Sequence, residues 1–270
     1  MSTSGSSTGN GTLYIGVSTK MYLGYQASLR WLSEVRSVVD DRPGLGTNSA
    51  KDSAVRVFVI PSFPVLEPAA RILAGSPVLL GAQNCAWGDG PLTGEVSPGM
   101  LAELGVSLVE IGHAERRKFF AEDDAVVARK VRAAVGHSLT PLLCIGEADK
   151  LDAGAAAAFC VQQVRAATDG DPALLSSLLL AYEPVWAIGA QEPAPPEHVN
   201  AVLAHIRAEL GRDCPLIYGG SAGPGLLPLL PAADGLFLGR FAHDAANLGR
   251  VLDEALALAQ TRGSDARACQ

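Results

Sequence analysis

No apolar run in this 270-residue chain approaches the roughly 18 residues that a membrane-crossing helix needs. The opening MSTSGSSTGNGT has neither a basic segment nor an apolar one, so it does not read as a secretory leader. Residues 1–11 are expected to form a flexible tail, as are residues 261–270. Cysteine is sparse. Cys85, Cys144, Cys160, Cys214 and Cys269 are scattered, odd in number and without a Cys-x-x-Cys pair, which indicates neither a disulfide framework nor a zinc site. A reducing cytoplasm is the expected compartment, and neither a metal nor a cofactor is expected. Basic charge is also short. The 21 Lys and Arg against 28 Asp and Glu leave a formal net charge of -7, which disfavours nucleic acid and anionic membranes as partners. An anionic ligand would need a local positive site to overcome that background.

What the chain has is apolar residue, 48% of the total against 18% charged, enough for a large buried core. Eight apolar runs recur along it: Leu13 to Val17, Val55 to Ile60, Val78 to Gln83, Leu108 to Gly112, Pro141 to Gly146, Leu178 to Tyr182, Pro215 to Gly219 and Gly235 to Gly239. Such runs read as strands buried on both faces, as in a parallel sheet. Between them lie amphipathic stretches such as Asp123 to His137 and Pro195 to Leu210, the second opening on prolines where a helix tolerates them. No shift of composition marks a linker, so residues 12–260 are expected to form one domain. Eight βα units predict a closed (β/α)8 barrel. A doubly wound open sheet would show the same alternation, and periodicity does not separate the two.

In a barrel the chemistry gathers at the carboxyl ends of the strands. The stretch LLLAYEPVWAIGA runs into Glu183 and stops on Pro184, which cannot continue a ladder. Lys20 follows the first run in the same way, and His113 the fourth. Each has an ordinary reading on its own: a solvated lysine, a core or helix-capping histidine, a loop glutamate. Together, three functional types at three strand ends would face one mouth if the barrel closes. A base, an electrophile and a fixed positive charge are what moving a proton beside a carbonyl requires.

The ordered stretches Gln83-Asn84, LTGEVSPGML from Leu92, IGHAERR from Ile111, CIGE from Cys144, AYEPVWAIG from Ala181, YGGS from Tyr218 and DGLFLG from Asp234 resemble the triosephosphate isomerase family, over essentially all of Leu13 to Leu258. The resemblance implies a TIM barrel that isomerises a phosphorylated sugar. By it, Glu183 is the carbon base and His113 the neutral imidazole that serves the two substrate oxygens. Lys20 is the cation facing enediolate and phosphate, and Glu115 orients that lysine. Gly189, Ser221, Gly239 and Arg240 match phosphate-gripping positions, where small residues let backbone N–H groups approach the oxygens. Pro184 to Gly189 resembles the closing lid, latched by Tyr218 and Ser221. Cys85 to Glu95 resembles the arm of a homodimer, with Trp87 as a buried anchor and Thr93 and Glu95 reaching a partner's site or an arginine such as Arg116.

Departures from the family pattern bear on the substrate. Ser18-Thr19-Lys20 replaces Asn-x-Lys, and Ala114 replaces the serine of His-Ser-Glu. The lid tip reads Gly189-Ala190-Gln191-Glu192, and the eighth loop carries Arg240 and Phe241 in place of small residues. Ser18 and Ala114 are expected to make room beside the reacting carbon for an added hydroxymethyl group, while Arg240 adds a cation on the phosphate side. That pattern suits a four-carbon ketose phosphate such as erythrulose 1-phosphate. Ordinary triosephosphate isomerase and a non-catalytic phosphate-binding barrel are the alternatives.

Overall fold

The structure, a computed structural model, describes residues 11–45, 53–188, 193–211 and 214–268, of which 263–268 are described by backbone alone. Eight parallel strands pair in chain order: β1 (Leu13–Ser18), β2 (Val55–Ile60), β3 (Leu79–Ala82), β4 (Leu108–Ile111), β5 (Thr140–Ile145), β6 (Leu179–Tyr182), β7 (Leu216–Tyr218) and β8 (Gly235–Leu238). β8 returns to β1, with Gly16 opposite Phe237 and Val17 opposite Leu238, so the sheet closes on itself. That closure decides between the barrel and the open sheet.

Among the described residues nine helices surround it: α1 (Tyr25–Asp40), α2 (Leu66–Ile72), α3 (Pro98–Glu103), α4 (Ala114–Phe120), α5 (Asp124–Gly136), α6 (Ala153–Thr168), α7 (Pro172–Ser176), α8 (Pro196–Leu210) and α9 (Ala245–Ala268). α5 starts where Asp123 accepts a hydrogen bond from the Val126 N–H at 2.8 Å. α8 buries Val199, Val202, Leu203 and Ile206, one stripe at helical spacing. α9 continues through Ala268, beyond residue 260 where the sequence reading ends the domain. Residues 1–10 lie outside the described residues.

Strand alternation divides the apolar side chains into two layers. Leu13, Ile15 and Val17 of β1, Val109 and Ile111 of β4, and Leu180 and Tyr182 of β6 face the helices. Phe58, Ile60, Leu108, Leu142, Cys144, Leu179, Ala181, Ile217 and Phe237 fill the barrel interior, where the Phe58 and Phe237 rings stack at 5.8 Å between centroids. The same alternation carried one step further sends Ser18, Glu110 and Glu183 inward at the carboxyl end. The packed floor and the strand parity together place polar groups at one mouth.

Candidate active site

The mouth is a cavity of about 580 Å³ lined by Ser18, Lys20, His113, Glu115, Glu183, the turn from Gly219 to Pro224, and Gly239 and Arg240. Ser18, Lys20, His113, Glu115, Glu183, Ser221, Gly239 and Arg240 are thus brought together as the sequence predicts. Gly189 and the altered lid tip lie outside the described residues.

Glu183 follows β6 and is buried. Burial, and next the charge of Glu110, push its carboxyl up to about 8, while Lys20 and a Cys144 hydrogen bond act the other way. Its Oε2 has no hydrogen-bond partner and stands 3.5 Å from His113 Nε2. Gly219 gives it space: a Cβ at that position would lie 2.6 Å from Glu183 Cγ. Cys144 beside it is a buried thiol with its pKa raised by burial, a core residue and no nucleophile.

His113 caps α4, its Nδ1 accepting from the Glu115 N–H at 3.1 Å. A ring nitrogen that accepts there carries no proton, so in the neutral ring the proton sits on Nε2, aimed at Glu183 and the cavity. Burial, with the Lys20 charge second, lowers its pKa to about 4 and keeps the ring neutral.

Lys20 lies past the end of β1 with a φ of 46°, the left-handed region that non-glycine residues rarely adopt. Two bonds to its carbonyl hold that conformation, from Ser62 Oγ and Gln83 Nε2, each at 2.7 Å. Gln83 therefore fixes the backbone that aims the lysine, a role the Gln83-Asn84 pair did not reveal in sequence. Lys20 Nζ meets Glu115 Oε1 at 2.7 Å. Burial opposes its charge, but the Glu115 hydrogen bond and the surrounding carboxylates outweigh it, and its pKa stands above the usual lysine value. Such a lysine is a cation rather than an amine nucleophile.

Sequence reasoning passed over Glu110. It sits in β4, buried, with Oε2 accepting from Ser18 Oγ at 3.1 Å and Oε1 3.9 Å from His113 Nε2. Burial lifts its pKa to about 7 against the pull of Lys20 and Ser18. The signal was present as the lone charge in LVEIG, sharing the inward parity of Leu108. Ala114, expected beside the reacting carbon, is placed elsewhere: it lines an adjoining hollow with Gly112, Cys144 and Val185 and is not among the residues around the main cavity.

The segment that resembles a lid is held on both sides of its tip. Trp186 Nε1 and Tyr182 OH donate to Glu147 Oε1 at 2.8 and 3.1 Å, and Ser221 Oγ donates to the Ala187 carbonyl at 3.1 Å. Beyond the tip, Tyr218 OH accepts from the Ala194 N–H at 3.2 Å. Arg240 is exposed, its guanidinium 5.6 Å from the centre of the Tyr22 ring. In the Cys85 to Glu95 loop Thr93 and Glu95 are exposed, and Trp87 is half-buried beneath Arg129. Arg116 pairs within the chain with Glu122 at 2.5 Å.

A buried carboxylate, a neutral imidazole and a lysine at the mouth of a (β/α)8 barrel constitute a site for acid–base proton transfer on a small anionic molecule. The chain belongs to the triosephosphate isomerase family, as a sugar-phosphate isomerase: the family model described as triosephosphate isomerase matches residues 13–255. It is 46% identical to the L-erythrulose-1-phosphate isomerase of Pectobacterium atrosepticum, over 91% of this chain and 96% of that protein. It is 39% identical to the L-erythrulose-1-phosphate isomerase of Brucella melitensis, over 83% of this chain and 92% of the other. A protein named triosephosphate isomerase, from Chloroflexus aurantiacus, is 40% identical over 77% of this chain and 88% of its own length.

Proposed function

We propose that the chain interconverts erythrulose 1-phosphate and erythrulose 4-phosphate. Glu183 removes the proton from C3, and the electrons move onto the C2 carbonyl oxygen to give a C2–C3 enediolate. His113 Nε2 protonates O2 and then takes the proton from O3, and Glu183 returns its proton to C2, leaving the ketone at C3. Lys20 holds the negative charge that builds on the oxygens. Phosphate lies against Ser221, Gly239 and Arg240, with Gly189 completing the grip from the lid, which keeps water from the enediolate.

The observation that carries this reading is the pairing of an unpartnered, buried Glu183 Oε2 with a neutral His113 Nε2 at 3.5 Å. The relatives' names favour the four-carbon substrate, and Ser18 in place of a larger amide provides space for it. The triose reading finds support in the Chloroflexus relative. Incubation with erythrulose 1-phosphate in heavy water, followed by NMR, tests the chemistry. Deuterium should enter at the carbons beside both ketones and the 4-phosphate should accumulate; an unlabelled, unchanged ketose would refute it.

The protein is further proposed to act as a homodimer joined through the Cys85 to Glu95 loop, whose exposed Thr93 and Glu95 suit a partner contact. A stable monomer at micromolar concentration in sedimentation would contradict that. The buried thiols Cys85, Cys144 and Cys160 fit a reducing cytoplasm. No described helix is long and apolar enough to cross a membrane.

A further inference from the structure

Glu110 is a buried carboxylate beside His113 to which the proton-transfer steps assign nothing. A fold in need of filling at an inward position between Leu108 and the cavity is served better by an apolar side chain, because a desolvated carboxylate is costly unless it is used. Its partner is informative. Ser18 lines the cavity and donates its hydroxyl proton to Glu110 Oε2 at 3.1 Å. A serine hydroxyl has one proton, so with that proton committed Oγ has only lone pairs to offer the cavity. It accepts, and what it accepts from is a donor such as an alcohol. The pair also lies at the reacting end: Glu110 Oε1 is 3.9 Å from the same His113 Nε2 that faces Glu183 at 3.5 Å.

Resting on the four-carbon reading above, we propose that Ser18 Oγ receives the terminal hydroxyl of the ketose, the group a triose phosphate lacks, and that Glu110 is the positioning residue that orients Ser18 as an acceptor. Specificity then comes from a polar pair and not from space alone. A site built to bond a hydroxyl discriminates against a substrate without it more strongly than an enlarged apolar pocket can.

The test compares kcat/KM for erythrulose 1-phosphate and glyceraldehyde 3-phosphate at pH 8, above the value near 7 where Glu110 titrates. Ser18→Ala and Glu110→Leu should each lower the four-carbon to three-carbon ratio by about 10- to 100-fold. Glu110→Gln, which keeps an acceptor for the Ser18 proton, should restore part of it. The double variant Ser18→Ala with Glu110→Leu should fall no further than Ser18→Ala, since both remove one interaction. Equal losses on both substrates would make Glu110 a structural residue and overturn this inference while the four-carbon reading stands. If Glu110→Leu fails to fold, an unchanged ratio in Ser18→Ala overturns it alone. A parent protein that prefers the triose overturns the inference and the four-carbon reading together.

Discussion

Replacing the proposed base by its neutral isostere, Glu183→Gln, should strengthen the fold while removing turnover, and the gain should depend on pH in a defined way. Glu183 is raised from an ordinary 4.5 to about 8 by burial and by Glu110. Between those two values the unfolded chain has lost this proton and the folded chain keeps it. Folding therefore takes up a proton, and stability falls as pH rises, by about 1.4 kcal/mol per pH unit. Below the unfolded value the contribution is fully present; above the folded value it is fully lost. The span of 4.5 to about 8 sets an upper bound of about 5 kcal/mol. Glutamine has no proton to exchange, so the stability difference between variant and parent should widen by about 3 to 5 kcal/mol from pH 5 to pH 8.5 and then level off. Urea unfolding followed by tryptophan fluorescence, at one protein concentration throughout because a dimer's stability depends on it, measures that difference. A difference that stays flat to within about 1 kcal/mol across the range would mean that Glu183 is not held in a desolvated site.

Three further substitutions probe the other parts. His113→Gln should lower kcat less than Glu183→Gln does, since the amide still donates to a carbonyl although it cannot shuttle a proton; steady-state rates for the two variants compare them, and a greater loss in the histidine variant would contradict the assignment. Gly219→Ala should cut kcat by about 100-fold with a smaller change in KM, because its Cβ would lie 2.6 Å from Glu183 Cγ and must push the base aside. Arg240→Ala should raise KM several-fold for both three- and four-carbon phosphates, an effect that added salt should shrink; a loss confined to one sugar would show that Arg240 reads something other than phosphate.

The strands were legible because both faces are largely buried, which turns each into a near-continuous apolar run such as LLLAY. Closure was not, because the pairing of Val17 with Leu238 joins the two ends of the barrel and has no local signature. Lys20, His113 and Glu183 could be read because each closely follows an apolar run, Glu183 just before a proline and His113 just before a helix start. Glu110 was overlooked inside such a run, although the parity of Leu108 already pointed it inward. Ala114 opens the first turn of α4 and lines the hollow shared with Glu183 and Val185, a placement set by how that helix docks on the barrel. Gln83 acts on the backbone of Lys20 across 63 residues of chain, a contact that only the closed barrel creates.

Whether this isomerase serves a four-carbon ketose phosphate is decided by assaying the unmodified protein with erythrulose 1-phosphate and glyceraldehyde 3-phosphate side by side. The kcat/KM for the four-carbon sugar should exceed that for the triose by at least about tenfold. A preference for glyceraldehyde 3-phosphate would contradict it and make the chain a triosephosphate isomerase in substrate as well as in family.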